Sequence, residues 1–313
     1  MEIDLELGRL DLVFGGSVAE DGRAWLARLP ELVGSLRADW QLRPGRPYAG
    51  GSGAWVAPVE LPSGERAVLK VGFPHREAWS EADGLRLWDG NGAVRLLRHD
   101  PARTAYLLEL CEPGAKLVDA DHLSAEARLL IGASLLRDLW LPAESAAGSA
   151  IEPVAAQMGW WAEMAEERLS RVPAEADVGL VRTGLSLLRS LPASATRSVV
   201  LHGDFNPGNV LSAERSPWLA IDAKPLTGDA AFDPWPLLEQ VDPPFATARP
   251  AAALTSRGRL LGDELDVDPA RIFAWGVAKL TESAVAAAAA GNPTECLRIM
   301  DEQTRTLADL AGL

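Results

Sequence analysis

A chain of 313 residues, 48% of them apolar, can bury one large core or two modest ones, and its 28 glycines and 22 prolines are ordinary for a globular protein. With 30 lysines and arginines against 44 aspartates and glutamates, the net charge of −14 excludes a broad grip on nucleic acid or an anionic membrane. Cys111 and Cys296 have no metal-binding or redox spacing, Met1-Glu2-Ile3-Asp4 lacks a signal-peptide profile, and the apolar run 284–290 is too short to span a bilayer, so a soluble, cytoplasmic protein is expected.

In chain order, apolar residues Trp25, Leu29, Leu32, Val33, Leu36 and Trp40 recur at helical spacing and predict a helix over 21–40. Short runs at 54–61, 66–71, 93–98 and 104–110, separated by Gly/Pro/Ser/Asn turns, predict strands. One helix interrupts them at 76–89, with Ala78, Ala82, Leu85 and Trp88 on one face. After Pro113-Gly114 the pattern turns helical, over 119–140, 152–169 and 175–191, with a loop at 143–150. A compact non-helical block covers 198–233, and helices at 269–290 and 293–310 close the chain. The expected fold is α+β, with a β-rich lobe (residues 1–110) and a larger, mainly helical lobe (residues 111–313). The cleft between them is the default ligand site. Trp25, Trp88, Trp161 and Trp275, at helical apolar positions, are expected in the core.

The chemistry concentrates in the non-helical block. Val199-Val200-Leu201 leads into His202-Gly203-Asp204, and Asn209 follows at the Asp-to-Asn spacing of the kinase catalytic loop. Such a loop turns one carboxylate toward an attacking hydroxyl and one amide toward a metal held on phosphates. Trp218-Leu219-Ala220-Ile221 then ends in Asp222, a second oxygen ligand suited to Mg²⁺. Any one of these alone reads as a turn former or cap; their joint occurrence implies phosphoryl transfer. Upstream, Ala67-Val68-Leu69-Lys70 places one of only four lysines late in a strand, where it can meet phosphates. Its acidic partner is expected on the next helix, Glu81 in preference to Glu77. The turn Gly51-Ser52-Gly53 offers backbone N–H groups to phosphate, and the segment around Glu109 and Cys111 offers backbone groups to an adenine edge. The four histidines show no metal-ligand spacing, and no nucleophile elbow or dinucleotide fingerprint occurs.

The run Leu201-His202-Gly203-Asp204…Pro207-Gly208-Asn209-Val210-Leu211 with Asp222-Ala223-Lys224-Pro225 resembles the aminoglycoside phosphotransferases, in particular the branch of streptomycin 6-kinases and hydroxyurea-resistance kinases. That branch reads Asp-Pro-Lys-Pro where this chain has Ala223. The resemblance implies a two-lobed protein-kinase-like fold, MgATP as cosubstrate, Asp204 as catalytic base, and a small cationic acceptor, streptomycin first. Guanidinium groups would need carboxylates, for which Asp229, Asp233, Glu239 and Glu282 are candidates. An endogenous sugar, aminosugar or other metabolite is the alternative acceptor; a non-catalytic nucleotide-binding protein is the remaining reading, opposed by the complete set Lys70, Asp204, Asn209 and Asp222.

Overall fold

The computed structural model describes residues 18–49 and 53–313. Helix α1 (Val18–Trp40) leads into an antiparallel sheet of β1 (Arg43–Pro44), β2 (Ala54–Glu60), β3 (Arg66–Gly72), β4 (Leu96–Asp100) and β5 (Ala105–Glu109), in the order β1-β2-β3-β5-β4. Strand alternation sorts the side chains of this sheet onto two faces. Trp55, Ala57, Val59, Ala67, Leu69, Val71, Ala105 and Leu107 pack against Trp25, Leu29, Val33, Leu36 and Trp40 of α1 as one core cluster. Val68, Tyr106 and Leu108 face the other way and join the core of the rest of the molecule. Lys70 pairs with Tyr106 across β3 and β5, so it shares that inner face.

Helix α2 (Glu81–Trp88) covers the inner face. The helix expected over 76–89 is split: Arg76–Ala78 is a 3₁₀ turn and the α-helix begins at Glu81. The strand expected at 93–98 begins later, at Leu96, because Ala93 and Val94 pair instead with Ala220 of the other lobe.

Beyond β6 (Pro113–Lys116) come α3 (Ala125–Leu139), β7 (Glu152–Pro153), α4 (Val154–Arg168) and α5 (Val178–Ala193). The helix expected from 119 starts at Ala125, where the Ser124 hydroxyl caps the Ala127 N–H. The block 198–233 contains β8 (Ser198–Leu201), β9 (Val210–Ala213), β10 (Trp218–Ala220) and β11 (Leu226–Asp229), in two small sheets ordered β10-β9-β6 and β7-β11-β8. Then follow α6 (Pro234–Gln240), α7 (Pro250–Leu265), α8 (Pro269–Ala289), α9 (Pro293–Arg298) and α10 (Arg305–Ala311), the last two joined by a π turn, Ile299–Thr304. The sequence reading left α6 and α7 unassigned. A Cβ at Gly258 would lie 2.4 Å from the Phe273 ring, so glycine is what lets α7 sit on α8. By length and composition α8 could cross a bilayer, but 67% of its most apolar stretch is buried inside this lobe, as in a core helix.

Candidate active site

Two loops from the small sheets build the floor of the inter-lobe cleft. The first follows β8 and carries His202, Gly203 and Asp204; the second follows β10 and carries Asp222 to Pro225. They are tied directly, the Lys224 N–H donating to the His202 carbonyl at 2.8 Å. Gly203 has φ +83°, and a Cβ there would stand 1.9 Å from the Lys224 carbonyl oxygen, so no other residue fits between the loops. His202 is fully buried and braces both: Nδ1 accepts from the Asp204 N–H (3.3 Å) and Nε2 donates to the Ile221 carbonyl (3.1 Å). Burial lowers the imidazole pKa, which keeps the ring neutral for this role.

Asp204 lies in the cleft with three side-chain donors on its carboxylate: Lys224 Nζ at 3.0 Å, Asn206 Nδ2 at 3.2 Å and Asn209 Nδ2 at 3.4 Å. Burial pushes its pKa up, but the Lys224 charge and hydrogen bond outweigh it, with Asp222 opposing, so Asp204 is held below the usual carboxylate range. The Asn209 amide nitrogen also donates to the Asp204 carbonyl at 3.0 Å, which leaves Oδ1 to accept. The Ile221 N–H donates to the Asn209 carbonyl at 2.9 Å, so Asn209 and Asp222 are brought side by side. Asp222 has φ +56°, a left-handed conformation that aspartate tolerates, and it turns the carboxylate back toward Lys70.

Lys70 Nζ is held at 2.7 Å by both Glu81 oxygens and at 2.5 Å by Asp222 Oδ1. Desolvation alone would lower its pKa, but the two carboxylates outweigh it and the ammonium stays charged. Glu81, the first residue of α2, is therefore the partner of Lys70. Glu77 lies one turn earlier and faces the cleft, accepting from Gln157 Nε2 at 2.7 Å with Lys224 Nζ at 3.9 Å. Helix α2 reaches this place because Ser80 Oγ donates to the Pro225 carbonyl (2.9 Å) and Gly84 leaves room for the Pro225 ring.

The cleft beside Asp204 has a volume of about 480 Å³ and is lined from both lobes, by Arg76, Glu77, Trp79 and Ser80 on one side and by Trp161, Phe232, Trp235, Glu239, Lys279 and Glu282 on the other. Trp79 is 62% exposed at its wall. Burial raises Glu239 to about 6 against a small opposing effect of Lys279, and raises Glu282 to about 7 against Arg168, with Glu77 adding to the rise.

The structure redistributes several expected site residues. Glu239 and Glu282 line the cleft; Asp229 and Asp233 do not. Asp229, 2% exposed, accepts from Arg271 Nε (2.6 Å), Trp275 Nε1 (2.7 Å) and the Ala231 N–H (3.2 Å). Asp233, fully buried, accepts from the backbone N–H groups of His202 (2.8 Å) and Gly203 (2.9 Å) and from Trp140 Nε1 (3.2 Å). Both carboxylates are consumed in holding the His202–Asp204 loop and α8, because a buried carboxylate needs that many donors. Trp161, expected in the core, is half-buried in the cleft wall. The Glu109 side chain is spent on a bidentate pair with Arg215 (2.7 and 2.9 Å), and the Cys111 thiol is buried, its pKa pushed up to about 12 by desolvation and then by Glu109. Of the glycine turn, Gly51 and Ser52 lie outside the described residues; the Gly53 carbonyl accepts from the Phe73 N–H at 2.8 Å, next to the end of β3. Among the described residues, no cluster of three or more His, Cys, Asp or Glu side chains could hold a metal by itself. Sequence reasoning missed Lys224 and Lys279 as cleft residues; the scarcity of lysine was the available signal, since three of the four meet here.

The profile of the aminoglycoside/hydroxyurea antibiotic resistance kinases matches residues 39–291. The chain belongs to this kinase family. A streptomycin 6-kinase of Streptomyces glaucescens is 35% identical over 280 residues, 87% of either chain. A hydroxyurea phosphotransferase of Kitasatospora aureofaciens is 33% identical over 286 residues, covering 90% of this chain and 79% of the relative. Among solved structures, a choline kinase of Streptococcus pneumoniae superposes with a TM-score of 0.59 at 12% identity, over 90% of this chain and 99% of its own; at that identity the likeness is one of fold. The two-lobed, kinase-like α+β architecture and phosphotransferase chemistry are thereby those of this kinase.

Proposed function

We propose that this kinase transfers the γ-phosphoryl group of MgATP to a hydroxyl of streptomycin, with Asp204 as catalytic base. The observation that carries this reading is the placement of Asp204 on the floor of a cleft that also presents the carboxylates of Glu77, Glu239 and Glu282. Streptomycin brings guanidinium groups, which stay charged and pair with carboxylates in two-pronged fashion. Two of the relatives are named streptomycin 6-kinases, which supports the same acceptor.

In this scheme Asp204 accepts a hydrogen bond from the acceptor hydroxyl and orients it in line with the γ-phosphoryl group, taking the proton as the new bond forms. Its low pKa, set against burial by Lys224, suits orientation more than early proton removal. Asn209 Oδ1 and Asp222 Oδ2, both hard oxygens left over from the bonds described above, are the groups that would hold Mg²⁺. Bound there, the ion neutralises charge on the phosphate oxygens. Lys70, fixed by Glu81, contributes positive charge to the phosphates; the turn Gly51-Ser52-Gly53 and the backbone of Glu109 and Cys111 serve the phosphates and adenine edge. This assigns residues 1–110 to nucleotide binding and residues 111–313 to catalysis and acceptor binding, with reaction in the cytoplasm on a small molecule.

The test is ADP release measured across a panel of aminoglycosides, sugars and aminosugars, with and without Mg²⁺. Release that requires both streptomycin and Mg²⁺ is expected. Saturation by a sugar at low concentration, with no turnover of streptomycin, would replace the acceptor. Nucleotide binding with no transfer to any compound would remove the catalytic reading.

A further inference from the structure

Three of the four lysines sit at the inter-lobe site, and two of them are neutralised there by carboxylates. Lys70 has Glu81 and Asp222; Lys224 has Asp204 at 3.0 Å and Glu77 at 3.9 Å. Lys279 differs. Its ammonium lines the same cleft but has neither a hydrogen bond nor an ion pair to any of the described residues. Its Nζ lies over the face of Phe232, 3.8 Å from the ring centroid, and the carboxylates of Asp204, Asp233 and Glu239 act on it through space without pairing with it. A half-buried ammonium with an aromatic face beneath it and no direct acceptor is under-compensated, since the ring quadrupole and unpaired carboxylates replace part of the lost hydration.

The platform under it is rigid. Phe232 meets Trp275 edge-to-face at 5.0 Å and 88°. It sits in the 3₁₀ turn Ala230–Phe232, between the two aspartates that anchor this region: Asp229, which binds Arg271 and Trp275, and Asp233, which binds the catalytic loop. Arg271, Trp275 and Lys279 follow one another at i, i+4 spacing along α8, with Glu282 three residues on. One stripe of the helix therefore runs from a buried anchor into the open cleft, and Lys279 is the point at which it meets the ligand space. An ammonium fixed from behind and open in front has a direction in which it can donate, and the cleft is that direction.

We propose that Lys279 is a specificity-determining residue of the acceptor site, donating a hydrogen bond to a hydroxyl or carbonyl oxygen of the acceptor other than the one phosphorylated. Glu239 and Glu282 accept the cationic groups of the acceptor, and Lys279 requires an oxygen between or beside them, so that an acceptor presenting a further cation at this point is turned away. This rests on the acceptor reading of the cleft given above, and it adds a charge of the opposite sign to that reading.

The experiment compares wild type, Lys279→Met and Lys279→Arg, after thermal melts establish that each is folded. Wild-type turnover of streptomycin, or of whichever compound of the panel is phosphorylated, is measured first; that result alone decides the acceptor reading. The dissociation constant of that acceptor is then measured by calorimetry with a non-hydrolysable ATP analogue present, alongside kcat and the KM for ATP. Lys279→Met is expected to weaken acceptor binding about tenfold, with kcat and the KM for ATP within about twofold, and Lys279→Arg to restore binding to within about threefold. A loss confined to kcat would overturn the proposal and assign Lys279 to the transferred phosphoryl group. Unchanged acceptor binding, with or without a lower melting temperature, would make it a packing residue of Phe232. A wild-type protein that binds no compound of the panel would defeat both readings together.

Discussion

The two sides of the cleft treat charge in opposite ways. On the side proposed to hold the phosphates Lys70 is paired within the protein, with Glu81 at 2.7 Å and Asp222 at 2.5 Å, and on the floor between the two sides Lys224 is paired with Asp204 at 3.0 Å. On the acceptor side Glu239, Glu282 and Lys279 line the cavity, and burial shifts all three toward their neutral forms. The phosphate side is thus organised before any ligand arrives, which is the condition for electrostatic catalysis. The acceptor side is left incomplete, and a ligand of complementary charge completes it.

The largest effect that can break this comparison comes from Asp204→Asn. A catalytic base contributes of the order of 10²- to 10⁴-fold, so kcat is expected to fall about 10³-fold while nucleotide affinity stays within about twofold. Steady-state kinetics and nucleotide titration measure both. A parallel loss of nucleotide affinity would place Asp204 on the phosphate side after all. Next comes stability. Lys70→Met leaves Glu81, 3% exposed, without its cation, and breaking such a buried pair costs about 3–5 kcal/mol. Lys279→Met removes a cation–π contact worth about 1 kcal/mol or less. Urea denaturation of the two variants compares a paired with an unpaired lysine of one cleft; equal losses would erase the distinction drawn here. Smaller than the Lys70 effect is that of Asp233→Asn, which keeps the shape but weakens three donor contacts, at about 1–3 kcal/mol. Its acceptor KM should not move. A large rise would return Asp233 to the substrate site.

The same division marks what could be read from the sequence. The phosphate side was legible because its chemistry fixes both residue type and spacing: the five-residue step from Asp204 to Asn209, Asp222 at a strand end, Lys70 in β3. The fold followed from strand alternation and helical periodicity, except where glycine served as a packing surface, as in α7, or where strand residues paired across the lobes, as at Ala93. The acceptor side was legible only as a surplus of carboxylates. Nothing local separates Asp229 and Asp233 from Glu239 and Glu282. The first pair is consumed by donors that come from 30 to 93 positions away, Trp140, His202, Gly203, Arg271 and Trp275, and long-range pairing leaves no mark on a short motif. Trp161 and Lys279 were hidden for a related reason. Their helical spacing is that of core residues, and only the tertiary packing of α4 and α8 opens their ends to the cleft.

The smallest effect concerns pH, and it tests the acceptor side by its own chemistry. Burial holds Glu239 at about 6 and Glu282 at about 7, above the ordinary 4.5. Because both values are raised in the folded state, the stability they contribute is fully present below about pH 4.5 and is lost as the pH rises through about 6 to 7. Ligand binding has the opposite sign. A guanidinium stays charged throughout this range, so it binds better as the two acids ionise, and it draws them into ionisation when it binds. The KM for a guanidinium acceptor is therefore expected to fall about fivefold between pH 6 and pH 8, with the KM for ATP unchanged. Calorimetry near pH 6.5 should show proton release, seen as a dependence of the heat on the buffer. Glu282→Gln should flatten the upper part of the profile. A neutral sugar has no preference for the ionised acids, so a KM that stays flat or rises over the same range would show that the unpaired carboxylates are not what holds the acceptor.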